Sequence, residues 1–213
     1  MNSIKKRLMR ARKAIQDKSI AFEIPMGTEL PKRLSRVLEV IYLIFNEGFH
    51  SNNAETLVRK DLCGEALRLC KMLLKKPHTA TSEAYALFAL MCFHSARLES
   101  KLNDDHAIVD IKHQDRTRWY QPLINLGNSA MDKAVESDVL SGFHYEAAIA
   151  SEHIKARTFE ETNWETILFW YKRLFDLQPS TLRPPRSTIV GRERGIYTKA
   201  EDSENREQTV SPE

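Results

Sequence analysis

The chain has 213 residues, 42% hydrophobic and 29% charged, with a net charge of +3. That is enough material for one sizeable buried core in a soluble globular protein, and no apolar run nears the ~20 residues needed to cross a bilayer. Three cysteines, Cys63, Cys70 and Cys92, have no C-x-x-C spacing, which argues against a thiolate metal site and reads as small core hydrophobes in a reducing, cytoplasmic compartment.

The charge is uneven. Residues 1–18 carry Lys5, Lys6, Arg7, Arg10, Arg12, Lys13 and Lys18 against Asp17 alone, while residues 19–178 have a small acidic excess. In this first segment Ile4, Leu8, Ala11 and Ile15 recur at spacings of four, three and four, one stripe of a helix with basic residues on its other faces. It lacks the apolar stretch of a secretory signal, although an Arg-rich, acid-poor start also fits an organelle-targeting segment. Pro25, Gly27 and Pro31 punctuate a linker over residues 19–30, and Pro31 suits the first turn of a second helix. That helix is expected to bury Leu34, Val37, Leu38, Ile41, Tyr42 and Phe45 and to end on a left-handed Gly48.

Asn52 and Glu55 resemble a capping box, opening a third helix through about Leu74 with Leu62, Ala66, Leu69 and Leu73 on one face. Lys71, Lys75 and Lys76 crowd its end, where positive charge complements the helix dipole. The stretch SEAYALFALMCFHSARL is apolar nearly all round and should be the most enclosed helix. Asn103, Asp104 and Asp105 then form a loop or small hairpin. Helical spacing returns at Asp115, with Trp119, Leu123, Leu126 and Ala130 following. A sixth helix, GFHYEAAIASEHIKA, offers Ala147, Ala148 and Ala150 for close contact. The seventh starts at a Thr162/Glu165 capping box and places Trp164, Ile167, Leu168, Tyr171, Leu174 and Phe175 on one face. From residue 179 the periodicity stops, as in a disordered tail. The expected fold is all-α: a helical-repeat-like bundle of about six helices over residues 31–178 behind a basic N-terminal helix, residues 1–18.

Motifs for chemistry are scarce. The seven histidines form no H-E-x-x-H or other metal spacing, and there is no phosphate-binding glycine loop, dinucleotide fingerprint or nucleophile elbow. No catalytic residue, metal or cofactor is expected. Two constellations stand out. In Asn46-Glu47-Gly48 a carboxylate sits in the last turn of a helix, against the dipole; in Asp115-Arg116-Thr117-Arg118-Trp119 two arginines follow a natural N-cap, where cations are disfavoured. Both misplacements are explained if Glu47 accepts a charge-assisted hydrogen bond from Arg116 or Arg118. The basic first helix reads as a solvated face, as a membrane-surface helix without the bulky aromatic side that firm insertion needs, or as a nucleic-acid element with Lys6, Arg10 and Lys13 along one face.

The stretches KRLMRARKAIQDKSIAFEIP, LPKRLSRVLEVIYLIFNEGF, DLCGEALRLCKMLL, ALFALMCFHSAR, QDRTRW and NWETILFWYKRLFDLQPS together resemble the extracytoplasmic-function bacterial RNA polymerase sigma factors, in the subgroup with a C-terminal tetratricopeptide-like extension, over roughly residues 3–180. The resemblance implies that Lys5, Lys6, Arg7, Arg10, Arg12 and Lys13 come from the end of a DNA-recognition helix. It also implies that Asn46, Glu47, Gly48, Asp115, Arg116 and Trp119 are signature positions of the extension. RNA polymerase or other sigma-factor domains are the partners it implies, and transcription initiation without catalysis the function. Measured against that family the chain begins inside the recognition helix and changes character after Gln178, so both ends read as cut and DNA affinity is expected to be weak and nonspecific. A free-standing helical adaptor for a protein or small ligand is the alternative.

Overall fold

The computed structural model describes residues 2–17, 29–50, 58–105 and 107–177, with the side chains of residues 2–8, 11, 31 and 32 excepted. The expected tail over residues 179–213, the Asn52/Glu55 capping box and most of the expected linker lie outside the described residues. Two compact units are present, residues 1–35 and residues 36–213.

In the first unit α1 spans Asn2–Asp17. Met9, Arg10 and residues 12–17 are exposed on it, Ile15 to 49%. Ile15 therefore projects from the expected apolar stripe into solvent, while the side chains of Ile4, Leu8 and Ala11 lie outside the described set. α2 spans Glu29–Phe49 and carries the chain into the second unit.

The second unit is all-α. Besides the rest of α2 it holds α3 (Lys60–Leu73), α4 (Ser82–Ala96), α5 (Gln121–Ala134), α6 (Gly142–Lys155) and α7 (Trp164–Leu177), with single 3₁₀ turns at Leu98–Ser100, Ile111–His113 and Arg116–Arg118. No strand occurs among the described residues. The loop or small hairpin expected at Asn103 is a loop with one antiparallel bridge, Leu102 to Ile108, closed by Asn103 Oδ1 accepting from the Ala107 amide at 2.7 Å.

α4 is the axis of the bundle because its sequence leaves no polar side. Every residue from Ala86 to Ala96 is buried, and α3, α5 and α6 pack around it. Leu87, Leu90, Met91 and Phe93 are enclosed almost completely, each worth roughly 1.5–3 kcal/mol of apolar burial. Thr81 starts the helix by accepting from the Ala84 amide. Small residues set the approach of α5: a Cβ on Gly127 would stand 2.6 Å from the Phe93 ring, and Ala130 and Ala134 continue that stripe. α6 uses Ala147, Ala148 and Ala150, all buried, in the same way. Ile149 and Ile167 join α6 to α7, flanked by Trp164, Trp170 and Tyr171.

Several expected boundaries move. α3 starts at Lys60, after Val58 and Arg59, and its buried stripe is Cys63, Ala66 and Cys70, rotated from the expected leucine face. α5 begins at Gln121 with a proline in its first turn, six residues beyond Asp115. α7 is capped by Asn163, whose Oδ1 accepts from the Thr166 amide at 3.0 Å; Thr162 is instead buried one residue earlier. Val37 and Phe175, placed on core faces by periodicity, are 43% and 57% exposed. A stripe broad enough to include them exceeds what the neighbouring helices cover.

Candidate functional site: two motifs and the end of the central helix

Asn46, Glu47 and Gly48 lie in the last turns of α2, between Phe45 and Phe49, two fully buried rings stacked 5.9 Å apart. Gly48 is not a left-handed terminator; it lies within the helix, which runs on to Phe49. Its lack of a side chain admits the start of α3. A Cβ there would meet the Cys63 amide nitrogen at 2.8 Å, the Arg59 carbonyl at 2.9 Å and Cys63 Sγ at 2.9 Å. The Arg59 amide donates to the Gly48 carbonyl at 2.7 Å, so one of the carbonyls that a helix end leaves over is satisfied by the next helix. Asn46 is half-buried with both amide atoms shielded from water, and Glu47 is exposed.

Beside this helix end, Phe49 gathers cations. Lys101 Nζ stands 3.7 Å from its ring centroid and Arg97 Cζ 5.4 Å, and the His94 and His50 rings lie at 5.1 and 4.8 Å. Arg97 and Lys101 are only 3% and 4% exposed, so the aromatic face takes over part of the stabilisation that water would give them. His94 is held well below its ordinary pKa, first by burial and then by Arg97, Lys101, His50 and His153.

The second motif fastens the bundle. Asp115 Oδ1 accepts from the amide (2.9 Å) and hydroxyl (2.6 Å) of Thr117, capping the short 3₁₀ turn. Those bonds, hydroxyl first, hold its carboxyl below the usual range. Arg116 Nη1 donates to the carbonyls of His153 and, at 2.8 Å, Ala156, where α6 ends and the dipole is negative. Its guanidinium also lies 4.6 Å from the Trp119 ring. Trp119 is buried against Ala96, Ile111 and Ile124, and its Nε1 donates to Ser100 Oγ at 2.8 Å, which in turn donates to the Arg97 carbonyl at 3.0 Å. The expectation that Arg116 meets Glu47 is corrected here: its hydrogen bonds go to carbonyls of α6, which a sequence does not display as charges. Arg118 is exposed, and its charge acts on Asp115.

Of the basic residues assigned to α1, Arg10, Arg12 and Lys13 are exposed, and the side chains of Lys5, Lys6 and Arg7 lie outside the described residues. Two buried polar fastenings were not foreseen. Tyr42 donates a short hydrogen bond to Glu146 between α2 and α6, and burial pushes the Glu146 carboxyl up to about 7 against the pull of that bond. His144 joins three elements: its Nδ1 accepts from the Ser141 amide at 2.9 Å, and its Nε2 meets the Ala134 carbonyl at 3.1 Å and Ser82 Oγ at 2.8 Å. The only sequence signal for Glu146 was a glutamate amid alanines on α6. Among the described residues no three His, Cys, Asp or Glu side chains converge as a metal set, and no helix is long and apolar enough to cross a membrane.

Residues 33–135, a stretch holding both motifs, match a family model described as a family of unknown function (DUF6596). An uncharacterized protein of Rhizobium meliloti (strain 1021) is 35% identical over 178 residues, which cover 84% of this chain and 42% of the relative. The chain thus spans less than half the length of that protein. No solved structure matches it.

Proposed function

We propose that this chain is a sigma-factor-type, cytoplasmic transcription initiation protein, dominated by a helical interaction domain and without catalytic chemistry of its own. The observation that carries the reading is α1, where six cations face a single acid, with Arg10, Arg12 and Lys13 exposed. Such a helix presents donors to phosphates, and each phosphate neutralised releases counterions. The body supports the reading in a different way. Its most distinctive residues, Gly48, Arg116 and Trp119, hold helix ends together, as a domain that acts through its surface requires.

The resemblance gives RNA polymerase or other sigma-factor domains as the protein partner. Co-purification with core RNA polymerase tests this. A complex that survives moderate salt and is lost on substitutions in the helical body supports the reading, and no complex at micromolar concentrations counts against it.

A second reading, a free-standing adaptor, is favoured by one feature. Val37, Val40 and Leu43 form an apolar row along α2 and are 43–57% exposed. Deleting residues 1–18 separates the two: a DNA module loses its salt-sensitive DNA binding, whereas an adaptor retains its partner.

A further inference from the structure

We infer that the small cavity between α4, α6 and the Ile111 turn is a binding site for a hydrogen-bond acceptor with one non-hydrogen atom, either a water molecule or a halide ion, held by the His94 imidazole. The cavity is lined by Phe93, His94, Arg97, Ile149, His153 and Ile154, among others, and leaves about 10 Å³ for the centre of a water-sized guest. That is about the room one water molecule needs; a halide, larger than water, enters only if the lining yields.

The argument begins with the tautomer. Arg97 Nη2 lies 3.1 Å from His94 Nδ1. A guanidinium can only donate, so Nδ1 carries the lone pair. The ring is neutral in its deeply buried place, and its proton is therefore on Nε2. His94 is 3% exposed, and among the described residues no group hydrogen-bonds Nε2. A buried donor left without an acceptor is costly, so a guest with a lone pair is stabilised there.

The surroundings fix the sign of charge that such a guest prefers. Arg97 and Lys101, two buried cations, act electrostatically on His94. The remaining lining, Phe93, Ile111, Ile149, Ala150 and Ile154, is apolar and offers no competing acceptor from its side chains. A halide gains from the cations; a water gains only the hydrogen bond. Larger oxyanions do not fit the volume.

Crystals of the full chain grown in sodium bromide test the site. An anomalous peak within hydrogen-bond distance of His94 Nε2 establishes a halide, and an ordered oxygen there with no anomalous signal establishes water. An unfilled cavity, or a ring turned so that Nε2 bonds a protein acceptor, overturns the inference. In solution, imidazole ¹⁵N shifts should show His94 protonated on Nε2 and accepting at Nδ1; the opposite tautomer also overturns it. With a halide guest, Tm rises with chloride at constant ionic strength, and His94→Phe abolishes that rise. Should His94→Phe fail to fold, the bromide map of the unsubstituted chain still decides.

Discussion

Gly48 and Cys63 approach so closely that a Cβ on the glycine would stand 2.8 Å from the cysteine amide nitrogen. The glycine is therefore the seat on which α3 rests. Gly48→Ala should destabilise the protein by about 1–3 kcal/mol through overpacking, more than cancelling the gain of up to ~1 kcal/mol from removing a helical glycine. Gly64 is the internal control: it lies on α3, and a Cβ added there would meet nothing within 4 Å. Gly64→Ala should raise stability by about 0.4–1 kcal/mol. Thermal unfolding of the two variants checks both signs.

Arg116 should be the most sensitive charged residue in the second motif. Arg116→Ala removes two donors from the end of α6 together with the contact to Trp119, at a cost of about 2–3 kcal/mol. Arg116→Lys should restore little, because an ammonium cannot reproduce the planar fork. Arg118→Ala, at an exposed position, should change stability by less than about 0.5 kcal/mol. Urea denaturation of the three proteins tests this order.

The pH profile should have two opposing limbs. Glu146 has a folded pKa of about 7, raised from 4.5 chiefly by burial. The folded state thus binds the proton more tightly, so this contribution is complete below about 4.5 and is lost as pH rises through about 7, on the order of 3 kcal/mol across that window. His94 and His144 are shifted down by burial, so their contribution is present above about 6.5 and is lost as pH falls below it. Glu146→Gln should flatten the upper limb and leave the lower one. Denaturant midpoints from pH 5 to 9 would show it.

Cys63, Cys70 and Cys92 are buried, and burial pushes each thiol up to about 12. Thiolate is the reactive species, so none should react with a disulfide reagent at pH 8 in the native protein. All three should react in denaturant. Fast labelling of any one under native conditions would show that its helix opens.

The all-α class and α4, α6 and α7 were legible because apolar spacing reports burial directly, and α4's apolar surround foretold its place at the axis. What escaped was set by neighbours distant in sequence. Asp115 does cap, but it caps a three-residue turn, because Trp119 must enter the slot between Ala96 and Ile124 before α5 can begin. Gly48 suggested a terminator, and only the arrival of Cys63, fifteen positions on, shows it to be a point of contact. Charge reasoning rightly demanded a partner for Arg116, yet carbonyls at the end of α6 carry no letter in a sequence. The same holds for Glu146, whose partner Tyr42 lies 104 positions away.

The central claim, that α1 carries a nucleic-acid contact, is tested most directly by fluorescence anisotropy of duplex DNA titrated with the full chain across a salt series. The account predicts binding that weakens steeply from about 50 to 200 mM salt, is insensitive to sequence, and is lost in the triple variant Arg10→Glu, Arg12→Glu, Lys13→Glu while the folded body is retained. DNA binding unchanged in that variant, or no binding by the unsubstituted chain even at the lowest salt, would contradict it.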